Sequence, residues 1–115
     1  MLIASLAAMR AREATLQEVL RSLLAQTRPP DRIVVHYSEE PWHLDAGWAQ
    51  PPRVPEHPCI ELCKVANVGS MRKYLFTANA YRDANATIVL VDDDRVWHPA
   101  VFDRLVDFVH KTNCV

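Results

Sequence analysis

No excess of basic residues marks this sequence: 13 lysines and arginines stand against 14 aspartates and glutamates, a formal net charge of -1. That balance excludes the broad positive footprint of a nucleic-acid-binding protein or a polybasic membrane surface, so any ligand must be held by a local cluster. No apolar run approaches the ~20 residues that cross a bilayer. The opening MLIASLAAM lacks the preceding positive charge of a signal peptide, and Arg10 and Arg12 stand where a cleavage site would fall. It reads as a strand. Cysteine is scarce and odd in number, at Cys59, Cys63 and Cys114. Two cysteines four apart on an extended segment are separated by about 13 Å, too far for a disulfide. With no secretory signal, this favours a reducing, cytoplasmic compartment. His57, Cys59 and Cys63 could be imagined around zinc, but no second CxxC-type pair accompanies them, and ordinary strand cysteines are the preferred reading. There is no internal repeat and no low-complexity segment. At 115 residues and 50% hydrophobic, the chain supports one core and one domain, residues 1–115.

The elements follow from periodicity. Leu2 to Leu6 reads as a first strand, followed by a loop carrying Arg10 and Arg12. Thr15 and Glu18 match a capping box, and Leu16, Val19, Leu20, Leu23 and Leu24 recur at helical spacing. Pro29 and Pro30 close that helix. Arg32 to Tyr37 is a β-branched run apolar on both faces, as in a parallel sheet covered on both sides. From Pro41 to Pro58 the pattern vanishes into a surface excursion holding five of the eight prolines and two of the three tryptophans. Its length favours a functional or mobile segment over a simple connection. Cys59 to Val65 reads as a third strand. Asn67-Val68-Gly69-Ser70 leads into a second helix with Met71, Tyr74, Leu75 and Ala78 on its predicted apolar face, and Asp83 to Asn85 stops it. Thr87 to Val91 is a fourth strand. Pro99 opens a last helix, capped by His98, with Val101, Phe102, Leu105, Val106 and Val109 as its stripe. Lys111 to Val115 reads as the approach to a further strand, so the chain is expected to be a fragment. The order β-α-β-loop-β-α-β-α predicts an α/β layer fold with a mainly parallel sheet.

Ligands of such sheets bind beyond the carboxyl ends of the strands. Asp92, Asp93 and Asp94 fall on that edge. If the extended backbone continued through them, Asp92 and Asp94 would share a side about 6 to 7 Å apart, repelling by about 2.5 kcal/mol at an effective dielectric of 20. A divalent cation converts that repulsion into attraction, and oxygen-only ligands suit magnesium or manganese. The alternative, helix capping, is disfavoured because the expected cap lies four residues beyond Asp94. Gly69 and Ser70 precede a helix whose free amides could receive an anion, with Arg72 and Lys73 adding positive charge; a plain glycine turn capped by Ser70 is the simpler reading of that stretch alone. Ser38-Glu39-Glu40 lies on the same edge, where carboxylates can accept hydrogen bonds from a base or ribose. No histidine pairs with a serine or cysteine at a spacing that suggests a nucleophilic triad.

Taken in order, IAS of strand one, Arg12, SLLAQT-x-PP, IVV followed by SEE, NVGS with Lys73 beyond it, and VDDD with a downstream HP resemble the nucleotide-binding half of a family 2 glycosyltransferase with the GT-A fold. The resemblance covers nearly the whole chain. It implies a three-layer Rossmann-like core, apparently incomplete at its C-terminus, and transfer of a sugar from a nucleoside diphosphate sugar, UDP-linked by preference, with a divalent metal (Mn2+ or Mg2+). It places Ser5, Arg12, Glu39, Asn67, Gly69, Ser70, Lys73, Asp92 and Asp93 near the donor nucleotide. Asp94 and Asp92 become the metal ligands. Where many members carry an aspartate pair for the base, this chain has His36-Tyr37-Ser38-Glu39-Glu40. The family's catalytic base and acceptor-binding residues belong to a following half, so the chain is expected to bind a donor without supplying that base. The competing expectation is a non-catalytic nucleotide-binding or interaction module on the same core. A receiver-like phosphotransfer domain is a weaker fit, since AAMRAR follows strand one where an acidic pair is wanted.

Overall fold

The computed structural model describes residues 1–113. Four strands, β1 (Leu2–Ala7), β2 (Arg32–Tyr37), β3 (Ile60–Lys64) and β4 (Thr87–Leu90), alternate with three helices, α1 (Glu13–Leu24), α2 (Arg72–Ala80) and α3 (Val101–Thr112). All strand pairs are parallel, and the sheet order is β3-β2-β1-β4. Alternation along the strands divides the two faces. Leu2, Ala4 and Leu6 of β1 and Ile33, Val35 and Tyr37 of β2 join Leu16, Val19, Leu20 and Leu23 of α1 and Phe102 and Val106 of α3 in one buried cluster. The opposite face of β1 and β2 meets α2, giving three layers.

Several local expectations are corrected. Thr15 is not a cap: Arg10–Arg12 form a 3-10 turn ahead of α1, and the Thr15 hydroxyl donates to the Arg12 carbonyl (3.0 Å). The last helix begins at Val101, not at Pro99. The His98 ring accepts the Ala100 amide (3.1 Å), and buried Gln26, at the end of α1, covers the Phe102 amide (3.0 Å) from outside the helix. Leu105 is exposed, outside the stripe predicted for that helix. Lys111 and Thr112 belong to α3 rather than to a further strand, and Cys114 and Val115 lie outside the described residues. Cys59 and Cys63 are free thiols, and among the described residues no three histidine, cysteine or acidic side chains converge as a metal-binding group. Burial, with the Glu61 carboxylate beside it, pushes the Cys63 thiol up to about 11.

The largest correction concerns α2. Its predicted apolar face is turned outward: Met71, Tyr74 and Leu75 are exposed, while Arg72 and Thr77 are buried. On that side the sheet presents buried Ser5 and His36 among Ile3 and Val34, and polar groups must be satisfied where they are buried. Ser5 donates to the Lys73 carbonyl (2.6 Å) and touches the Thr77 hydroxyl (2.8 Å), which in turn meets His36 Nε2 (3.3 Å); His36 Nδ1 reaches the Leu6 carbonyl (3.1 Å). Both carbonyl ends can only accept, so a neutral imidazole and two hydroxyls bring three protons to these four contacts. The longest contact, His36 to Thr77, is the weak member. Burial pushes the His36 imidazole below its ordinary range, and the nearby Arg72 charge adds to the effect against the opposing Leu6 carbonyl. The unfolded chain takes up this proton near pH 6.5, at about the ordinary histidine value, and the folded chain only at lower pH. Stability contributed by neutral His36 is therefore present above that value and lost as pH falls through the folded pKa. Urea midpoints are expected to be lower at pH 5.5 than at pH 7.5, with a shallower slope in His36→Gln.

Candidate functional site

The chain winds β1 to β2 to β3 in one direction and then places β4 on the other side of β1. That reversal puts the topological switch point between β1 and β4, the edge at which ligands of such sheets bind. A cavity of about 280 Å³ occupies the place. Ala7, Met9 and Arg12 line it from the β1 side, and Val91, Asp92 and Asp93 from the β4 side. Gly69, Ser70, Arg72 and Lys73 come from the start of α2, and Trp42 to Asp45 from the excursion after β2.

Its charged wall is made of two cation–carboxylate pairs. Arg12 Nη1 donates to Asp93 Oδ1 (2.9 Å), and Asp93 Oδ2 also accepts the Met9 amide (2.9 Å). Asp93 is 3% exposed. Lys73 Nζ donates to Asp92 Oδ1 (2.7 Å), which holds the Asp92 carboxyl below the usual carboxylate range. Hydrogen bonding to Asp93 raises the Arg12 guanidinium in the same way, against partial burial. Asp94 stands apart, its side chain 44% exposed and its one cationic neighbour, Arg12 Nη2, at 3.9 Å. The extended geometry expected for Asp92 to Asp94 is not observed, because β4 ends at Leu90 and the chain turns at Asp93 and Asp94. The like charges are separated by that turn and answered by cations from β1 and α2.

The opposite wall is built from residues whose roles the sequence hides. Arg72 is 1% exposed. Its guanidinium donates to Asp45 Oδ2 (3.0 Å), Ser38 Oγ (2.9 Å) and the Gly69 carbonyl (2.9 Å). Asp45, also buried, further accepts from Asn67 Nδ2 (3.1 Å) and the Gly47 amide (3.1 Å). Gly47 has φ +78, and an added Cβ would fall 2.1 Å from the Glu39 carbonyl oxygen, so the chain must cross itself at a residue without a side chain. The excursion is thus an anchored loop here, and the Arg72 charge, read as available to a ligand, is consumed inside the protein.

Of the residues singled out from sequence, Arg12, Gly69, Ser70, Lys73, Asp92 and Asp93 are brought together around the cavity, with Asp94 beside them. Ser5, Glu39 and Asn67 are not. Ser5 lies beneath the Lys73 backbone, fully buried. Asn67 is buried, its Oδ1 accepting the Gly69 amide (3.1 Å). That contact, rather than a Ser70 side-chain cap, organises the turn, and Ser70 makes no capping hydrogen bond. Glu39 pairs with Lys64 (3.4 Å) and lines a separate opening with Glu40 and Val65.

The donor chemistry of the cavity suits a cation of the magnesium or manganese kind, which takes one or two carboxylates and completes its shell with substrate phosphates and water. Asp92 lines the cavity and Asp94 stands beside it, so these are the two carboxylates that would be available to such a cation. A parallel sheet ordered 3-2-1-4 with such a crevice at its switch point is a Rossmann-like α/β core of the GT-A type. The family described as glycosyltransferase like family 2 matches residues 3–115, and the chain belongs to that family. No curated protein matches the chain. Among the described residues, no helix is long and apolar enough to cross a membrane.

Proposed function

We propose that the switch-point cavity binds a nucleoside diphosphate sugar, UDP-linked by preference, together with Mn2+ or Mg2+, as the donor side of glycosyl transfer to an acceptor. The observation that carries this reading is the gathering of Arg12 and Lys73 with Asp92 and Asp93 around one crevice, with Asp94 beside Arg12. A diphosphate needs cations; a metal that bridges it needs carboxylates. When bound, the metal would neutralise charge developing on the leaving diphosphate. Arg12 and Lys73 would hold diphosphate oxygens, and Asp94, least committed to partners within the chain, would be the first carboxylate to take the cation. Internal neutralisation of Asp92 and Asp93 by Lys73 and Arg12 favours the second reading, a nucleotide-binding module that uses no metal. Calorimetric titration with UDP, with and without Mn2+, separates the two. Manganese is expected to tighten UDP binding, and Asp94→Ala to weaken the manganese-dependent part roughly tenfold or more, as for loss of a charged ligand contact. Binding insensitive to both would leave the module reading.

A further inference from the structure

We propose that the indole of Trp42 is the platform on which the nucleoside base of the donor stacks, so that the base is selected by its aromatic face rather than by a carboxylate after β2. The inference rests on the donor reading above. Trp42 lines the cavity and is 48% exposed, yet its backbone is fixed. Trp42 and Asp45 exchange reciprocal backbone hydrogen bonds (2.8 and 2.9 Å), closing a tight turn with His43 at φ 51, and Asp45 is held by Arg72 and Asn67. The His43 ring meets the indole edge-on, centroids 5.1 Å apart at 84°. At Gly69 an added Cβ would stand 3.3 Å from Trp42 Nε1, so the indole rests on the α2 turn. An exposed aromatic held this firmly has already given up the conformational freedom that stacking requires, which is the condition for strong stacking. The lining also follows the strand order: Trp42 and Leu44 come from the loop after β2, Arg12 from the segment after β1 and Asp92 from the end of β4, with Lys73 of α2 paired to Asp92. A nucleoside diphosphate is flat and aromatic at one end and anionic next to it, which matches that order. Glu39, the carboxylate that follows β2, lines a different opening.

Calorimetry with UDP alone in the presence of Mn2+, on the wild type, Trp42→Ala and Trp42→Phe, tests the assignment. Trp42→Ala is expected to weaken UDP binding roughly tenfold or more, the usual range for removing a stacking aromatic, while Trp42→Phe stays within about threefold of wild type. UDP should quench wild-type tryptophan fluorescence and leave Trp42→Phe unquenched although it binds, because Trp48 is buried and Trp97, packed against the core, does not line the cavity. If Trp42→Ala binds UDP as tightly as wild type, the stacking assignment is overturned and the donor reading stands. Unchanged UDP binding with weakened UDP-glucose binding would give the ring to the sugar and overturn it equally. A wild type that binds neither UDP nor UDP-glucose sinks the donor reading and the assignment with it. Should Trp42→Ala fail to fold by thermal melting, quenching retained in Trp42→Phe is the overturning result.

Discussion

Arg72→Ala is expected to destabilise the fold by about 3–5 kcal/mol, the range for removing one partner of a buried ion pair. The loss is large against the roughly 5–15 kcal/mol that holds a domain together. Arg72 reaches Asp45, Ser38 and the Gly69 carbonyl at 2.9 to 3.0 Å from a position 1% exposed. Without it, the Asp45 carboxylate stays buried with only the Asn67 amide and the Gly47 backbone to answer its charge. Arg72→Lys should recover only part of the loss, because an ammonium cannot reproduce the planar fork that serves three acceptors. Arg72→Ala combined with Asp45→Ala should lose less than the sum of the single changes, since the two act as one unit. Urea unfolding of the four proteins checks this. Additive losses, or an Arg72→Ala midpoint equal to wild type, would show that the pair does not hold the loop. The same variant is expected to loosen the turn carrying Trp42, so its UDP affinity should fall even where the protein remains folded.

Why the sequence predicts one side of this cavity and hides the other follows from the range of the interactions. The strands and α1 announce themselves through neighbours two, three or four residues away, and their order implies a parallel sheet. The acidic edge is equally local, three aspartates directly after an apolar strand. Asp45 and Arg72 are 27 residues apart, on an irregular loop and a helix, and neither position belongs to a pattern. Helical periodicity even points the wrong way for α2, because it ranks faces by hydrophobicity alone. The face that goes inward carries Thr77, which meets Ser5 and His36 of the sheet, and Arg72, which is answered by Ser38 and Asp45. A polar match across 34 residues or more leaves no trace in a window of one helix. Gly69 and Gly47 are the signals that could have pointed to the anchored loop. They are the chain's only glycines, and both sit at positive φ.

Asp93→Ala is expected to destabilise the protein by about 2–3 kcal/mol, in keeping with hydrogen bonds to a charged group. The carboxylate ties the Met9 amide and Arg12 to the end of β4, so its removal unfastens the β1–α1 connection from the neighbouring strand. The loss should be smaller than for Arg72, because the Arg12 side chain is 43% exposed and water can take over its charge. Asp93→Asn separates two contributions: an amide oxygen still accepts from Met9, so the stability tied to that contact should return, while the part due to the charge paired with Arg12 should not. Asp94→Ala offers the contrast. At 44% side-chain exposure with a single 3.9 Å contact, its loss should change stability by no more than about 0.5 kcal/mol, as for other surface sites, and appear only in manganese-dependent binding. Three adjacent carboxylates are thus expected to give separable phenotypes by urea unfolding and calorimetry: Asp93 in the fold, Asp94 with the metal, and Asp92 exchanging Lys73 for it. An Asp93→Ala protein as stable as wild type would break that division of labour. It would return all three to a single acidic rim.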